Sequence, residues 1–178
     1  SKFKALLQEL KSIRDKEPRA KSLIFSQFTS TVKFMQEELP KHGFSFRIIS
    51  GDMSMLSRAK ALRDFQADPP TTVFLLSMRA GAVGINLTAA NRVFLMEPTF
   101  NPALEAQAIG RVHRLGQKTK VEIIRLIMKD SFETRLLDLF GGRLAKGTDV
   151  NSNEENSYHT SANGSSNTED EEDTNSAD

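Results

Sequence analysis

The chain has 178 residues, long enough for one domain with a substantial core and extensions. It carries no cysteine, which excludes disulfides and cysteine-ligated zinc within it, and its histidines at 42, 113 and 159 are too scattered to form a metal site. The formal net charge of +1 hides an asymmetry: residues 1–145 hold 23 of the 24 lysines and arginines but 14 of the 23 acids, so a basic body precedes an acidic tail.

No run approaches the roughly 20 apolar residues of a membrane span, and the first residues hold no apolar signal segment, so a soluble chain is expected. Ser1 to Arg14 sets Phe3, Leu6, Leu7, Leu10 and Ile13 at helical spacing. Asp15 to Lys21, with Pro18 inside it, is a charged connection, so residues 1–21 read as a packing helix and linker. Ser22 to Phe28 is an apolar, partly β-branched run with the look of a buried parallel strand. Ser26, Gln27 and Thr29 fall at its carboxyl end, where open α/β sheets place their ligand sites, although a simple helix cap explains Thr29 and Ser30 equally well. A helix over Thr31 to Leu39, a strand over Phe44 to Ser50, a Gly51–Ser54 turn and a helix over Met55 to Phe65 follow.

Thr72 to Ser77 is the next buried strand, and it empties into residues 78–88, where Gly81 and Gly84 allow backbone N–H groups to approach an anion. Asn91 to Met96 is another strand. Asn101 and Pro102 then supply a cap and a first-turn proline for a helix expected to run to Leu115. On that helix Gln107, Arg111 and Arg114 would share one face, with Leu104, Ala108, Val112 and Leu115 on an adjacent apolar face. Two guanidiniums and an amide so placed would clamp a phosphate, and solvated helix charges are the plainer alternative. Val121 to Met128 is a β-rich run. Asp130 and Ser131 cap a final helix, Phe132 to Phe140, which Gly141 and Gly142 should stop. Residues 146–178 turn to Ser, Asn, Thr, Gly, Asp and Glu and are expected to form a disordered acidic tail.

Strands and helices therefore alternate at least five times, the pattern of a parallel sheet with helices on both faces. The right-handed crossover rule gathers Gln27, residues 77–88 and the arginine helix along one edge. Several of these strings resemble helicase motifs. Residues 107–114, Q-A-I-G-R-V-H-R, resemble motif VI (Q-x-x-G-R-x-x-R) of superfamily 2 helicases, and the continuation into Leu115, Gly116 and Gln117 resembles the SWI/SNF-type ATPase branch. Ser22 to Thr29 resembles motif IV, and Ser50 to Ser54 resembles the G-S-M turn with Ser and Asp exchanged. Residues 79–88 resemble motif V with Ala82 in place of one glycine, and residues 97–102 resemble D-P-x-W-N-P with Glu97 and Phe100 as departures. The details look most like the branch of the helicase-like transcription factor and its RING-bearing DNA-repair relatives.

The resemblance covers roughly residues 1–140 and implies a RecA-like α/β lobe of P-loop NTPase type over residues 22–145, the second of two lobes. It implies that Arg114 is an arginine finger, with Arg111 a second phosphate contact and Gln107 coupling the cleft to DNA. It places Gly84 and Asn86 toward ATP, and Ser26, Gln27, Ser77, Arg79 and Thr88 toward DNA. ATP with Mg2+ would be held mainly by an N-terminal RecA-like lobe, because the sequence has no G-x-x-x-x-G-K-[ST] loop and no acidic box for the metal. The isolated lobe is then not expected to hydrolyse ATP. The function implied is ATP-dependent translocation on double-stranded DNA or chromatin remodelling, in DNA repair or transcription and in the nucleus, with nucleosomes and RING or ubiquitin machinery as further partners. Two other readings remain open: an inactive DNA- or protein-binding RecA-like module, and a lobe of an RNA-directed superfamily 2 helicase.

Overall fold

Three short apolar runs that become fully or almost fully buried strands pair with partly exposed runs at 46–49 and 122–127 into a parallel sheet. The computed structural model describes residues 1–69, 72–81, 85–146 and 158–162. Its elements are α1 (Lys2–Lys16), β1 (Ser22–Ser26), α2 (Thr29–Lys41), β2 (Phe46–Ile49), α3 (Met55–Ala67), β3 (Val73–Ser77), α4 (Met78–Gly81), β4 (Arg92–Leu95), α5 (Pro102–Gly110), β5 (Glu122–Ile127), α6 (Phe132–Lys146) and β6 (Tyr158–Ala162). The strands run in the order β2-β3-β1-β4-β5-β6, and every pairing is parallel. This is the RecA-like α/β arrangement expected from the sequence.

Alternation along the strands sends neighbouring side chains to opposite faces. Leu23, Phe25, Phe74, Leu76, Val93, Leu95 and Ile123 pack with Phe65 of α3 and with Ala108 and Val112 around α5. Ile24, Val73, Leu75, Phe94, Ile124 and Leu126 pack on the other face with Leu6, Leu7 and Leu10 of α1 and with Val32, Met35 and Leu39 of α2. Phe65 and Phe74 stack with ring centroids 4.8 Å apart. Below the sheet, the Lys21 ammonium donates to the carbonyls of Phe65 and Gln66, closing the end of α3 onto the start of β1.

Four sequence expectations change. The helix expected through Leu115 ends at Gly110. There the backbone tightens into three-residue turns: Arg111 N–H donates to Ala108 O (3.3 Å) and Val112 N–H to Ile109 O (2.9 Å). Ala108 and Val112 are buried as expected, but Leu115 is 100% exposed at the tip of the following turn. At the start of α2 the cap position belongs to Phe28, with no side-chain cap, so Thr29 and Ser30 lie inside the first turn. α6 runs through Gly141 and Gly142 to Lys146, because a helical glycine costs only about 1 kcal/mol and does not forbid the turn. Of the tail expected to be disordered, Tyr158–Ala162 instead pairs along β5, whose backbone groups would otherwise form a bare sheet edge. The rest of the tail lies outside the described residues.

Candidate functional site

β1 is the pivot of the sheet. β3 lies on one side of it and β4 on the other, so the chain order reverses there and the crevice beyond the carboxyl ends is where such folds bind ligands. At that edge lie residues 27–28 after β1, residues 78–81 and 85–91 after β3, and residues 96–101 after β4.

The β3 connection opens with the helical turn α4, fixed by Ser77, whose hydroxyl accepts the Ala80 N–H at 3.1 Å. Arg79 is exposed on this turn, while Met78 and Ala80 are buried beneath it. Gly84 lies outside the described residues. Asn86 is exposed, and its side-chain oxygen accepts the Thr88 N–H at 3.1 Å. Leu87 N–H then donates to the carbonyl of Arg111 at 3.1 Å. Gln117 completes the joint, its amide donating to Thr88 O at 3.2 Å and Ala90 O at 2.8 Å. Residues 86–90 and 111–117 are therefore one hydrogen-bonded unit. Within it Arg111 is half-buried, whereas Arg114 and His113 are exposed; Gln107 is exposed on α5. Gly116 adopts φ +103°, a conformation that a side chain would strain, and so turns the chain back toward Gln117. α5 itself is anchored by a buried ion pair, Glu105 with Arg125 of β5, at 2.7 Å from Nε.

The β1 connection is built differently. Ser26 is 1% exposed, and its hydroxyl donates to the carboxylate of Glu97 at 3.0 Å while accepting the Phe28 N–H at 3.1 Å. Gln27 donates its N–H to Glu97 at 3.0 Å and its side-chain amide to Pro98 O at 2.8 Å. Burial pushes the Glu97 carboxyl above its usual range, against the hydrogen bonds from Gln27 and Ser26 and the nearby Lys2 ammonium, which favour its charged form. Among the candidate DNA contacts, Arg79 thus projects from the surface, Gln27 and Thr88 are half-buried, and Ser26 points inward. At the Gly51 turn, Ser50 donates to Asp52, so the exchanged pair bonds across the turn and holds the exposed Asp52 carboxyl below its usual range.

The sequence reading missed Glu97 as a clamp, Gln117 as a joint and the Glu105–Arg125 pair. For Glu97 a signal existed: a carboxylate one methylene longer than the usual aspartate, placed after a strand adjacent to β1. Among the described residues no three His, Asp or Glu side chains gather into a metal-ligating group. What the edge does offer is positive charge: two guanidiniums held by a backbone-bonded pair of loops, matched to phosphate oxygens in shape and charge.

A parallel sheet with its arginines and glycine-bearing connection gathered at the switch point defines a RecA-like lobe of helicase type. The chain belongs to the helicase conserved C-terminal domain family, which matches residues 1–116. It is 45% identical over 137 residues to the DNA repair protein rad5 of Neurospora crassa, covering 77% of this chain and 11% of that protein. It is also 45% identical over 142 residues to the helicase-like transcription factor of Homo sapiens, covering 78% of this chain and 14% of that one. The chain thus spans about a ninth to a seventh of the length of these relatives. Among solved structures, the C-terminal part of the Fun30 ATPase domain superposes with a TM-score of 0.73 at 37% identity, covering 78% of this chain and 44% of that one.

Proposed function

We propose that this chain is the C-terminal lobe of an ATP-dependent double-stranded DNA translocase or remodeller of SWI/SNF type, acting in the nucleus in DNA repair or transcription. One observation carries the reading: the Leu87–Arg111 and Gln117 hydrogen bonds weld the strand-end loop at 86–90 to the arginine loop at 111–117. A displacement of the arginines toward a nucleotide then moves the loop that carries Thr88.

In phosphoryl transfer to water, negative charge spreads over the γ-phosphoryl oxygens, and a guanidinium aimed at them is worth on the order of 10³–10⁵ in rate. Arg114, exposed at the turn, is the finger. Arg111 is the second phosphate contact, and Gly84 and Asn86 complete the nucleotide side. Gln107 links the cleft to the DNA side, where Gln27, Ser77, Arg79 and Thr88 line the track and Ser26 supports it from beneath. Mg2+ would neutralise the phosphates from ligands on an N-terminal RecA-like lobe, and nucleosomes and RING or ubiquitin machinery belong to the same reading of the full-length protein. ATP turnover by the two-lobed protein tests it. Duplex DNA should stimulate turnover severalfold more than single-stranded RNA. Equal or greater stimulation by RNA would replace the DNA reading with an RNA-directed helicase, and no turnover with either would leave an inactive binding module.

A further inference from the structure

The polar cluster at the carboxyl ends of β1, β4 and β5 is larger than a site that only binds phosphate requires. Glu97 takes one hydrogen bond from the Ser26 hydroxyl and one from the Gln27 N–H, across 70 residues of chain. Beside it the Lys2 ammonium donates to Met96 O at 2.8 Å and pairs with Glu133 at 2.5 Å, and Glu133 in turn accepts the Met128 N–H at 2.9 Å. A single chain of polar contacts therefore runs from the β1 turn through β4 to the start of α6. Ser26 is enclosed and cannot meet a ligand itself; every contact it makes fixes the turn in which Gln27 is half-buried, its amide donating to Pro98 O at 2.8 Å, and after which Phe28, Thr29 and Ser30 are exposed.

We propose that Glu97 is a positioning residue for the DNA contact, holding the Ser26–Phe28 turn in the one orientation that presents Gln27 and the start of α2 to the duplex backbone. This rests on the DNA-translocase reading above. A glutamate at 97 reaches both Ser26 and Gln27, and a glutamine can imitate it. The amide oxygen of a glutamine accepts the Gln27 N–H, and its NH2 donates to a Ser26 hydroxyl that has rotated. Geometry, not charge, is what the turn needs.

The test uses the two-lobed protein and a duplex DNA titration of ATP turnover, with thermal unfolding in parallel. Glu97→Ala should raise the DNA concentration for half-maximal turnover about tenfold, the loss expected when one backbone contact to the duplex is no longer held in place, while turnover at saturating DNA falls by less than about threefold. Glu97→Gln should restore both values to within about threefold of wild type. An unchanged DNA requirement in Glu97→Ala, or a loss confined to maximal turnover and melting temperature, would reduce Glu97 to a structural residue and overturn the proposal. If Glu97→Ala fails to fold, Ser26→Ala carries the test, because an unchanged DNA requirement there would overturn the clamp equally. Gln27→Ala separates the two levels. A raised DNA requirement in Gln27→Ala with none in Glu97→Ala keeps the DNA reading and discards the clamp, whereas absence of any DNA stimulation in wild type discards both.

Discussion

Glu97 shows how a half-buried carboxylate acquires a cost and a use together. Its folded-state pKa is raised above the ordinary value of 4.5, chiefly by burial, so the fold favours its neutral form. The stability this group contributes is therefore complete below the ordinary value and is lost as pH rises from there through the raised one. The Glu97→Gln variant has no such titration. The melting temperature of wild type minus that of Glu97→Gln should fall as pH rises from 4 to 7, and a difference that grows with pH would contradict the assignment of burial as the dominant influence. Asp68 behaves in the opposite sense. Its bidentate pairing with Arg47, at 2.6 and 2.8 Å, holds it below the usual carboxylate range, so its contribution is present at neutral pH and is lost on acidification. None of these residues could be paired from the sequence, because partners 70 and 21 positions apart share no periodicity. The string that holds Gln107, Arg111 and Arg114 was legible, but the single helix face expected for the three was not, because α5 ends at Gly110 and leaves both arginines on turns.

At the scale of elements, the strands were legible because apolar runs such as Val73–Leu76 have no second interpretation once turns bound them, and the structure buries each of these side chains. Helix ends were less so. A periodic pattern from 102 to 115 looks like one helix, yet Gly110 ends it, and Arg111 and Arg114 are carried by turns held from outside by Leu87 and Gln117. The two glycines of this segment should therefore respond differently. A methyl group on Gly110 meets nothing within 4 Å, so Gly110→Ala should leave the melting temperature of the chain unchanged or raised, and a large loss would contradict the local geometry. Gly116, at φ +103°, has no such freedom; Gly116→Ala should cost at least about 1–2 kcal/mol by denaturant unfolding or displace the arginine turn. The anchor of α5 lies deeper. Glu105 is 2% exposed and Arg125 13%, so Glu105→Ala should destabilise the chain by about 3 kcal/mol in denaturant titration, since the guanidinium loses its buried carboxylate. A cost below about 0.5 kcal/mol would mean that the pair is solvated like a surface ion pair.

For the whole molecule, the division of charge and the placement of loops point the same way. The body that forms the sheet carries most of the basic residues, and its arginine loop and strand-end connections lie at a common edge, which is what the proposed function requires of a surface that meets both a nucleotide and a polyanion. The sequence reading placed these segments on one edge from topology alone; the welding of residues 86–90 to 111–117 required the structure, because backbone carbonyls carry no signature in side-chain spacing. Under the proposed function, Arg114 serves phosphoryl transfer at a neighbouring lobe. Its most direct test is DNA-stimulated ATP turnover of the two-lobed protein with Arg114→Ala beside wild type, nucleotide affinity being measured in parallel. A fall in turnover of at least about a hundredfold, roughly 2.7 kcal/mol of barrier, with nucleotide affinity changed by less than about threefold, is the predicted result. Unchanged turnover would contradict it and leave the lobe a binding module in which the arginine loop has no part in hydrolysis.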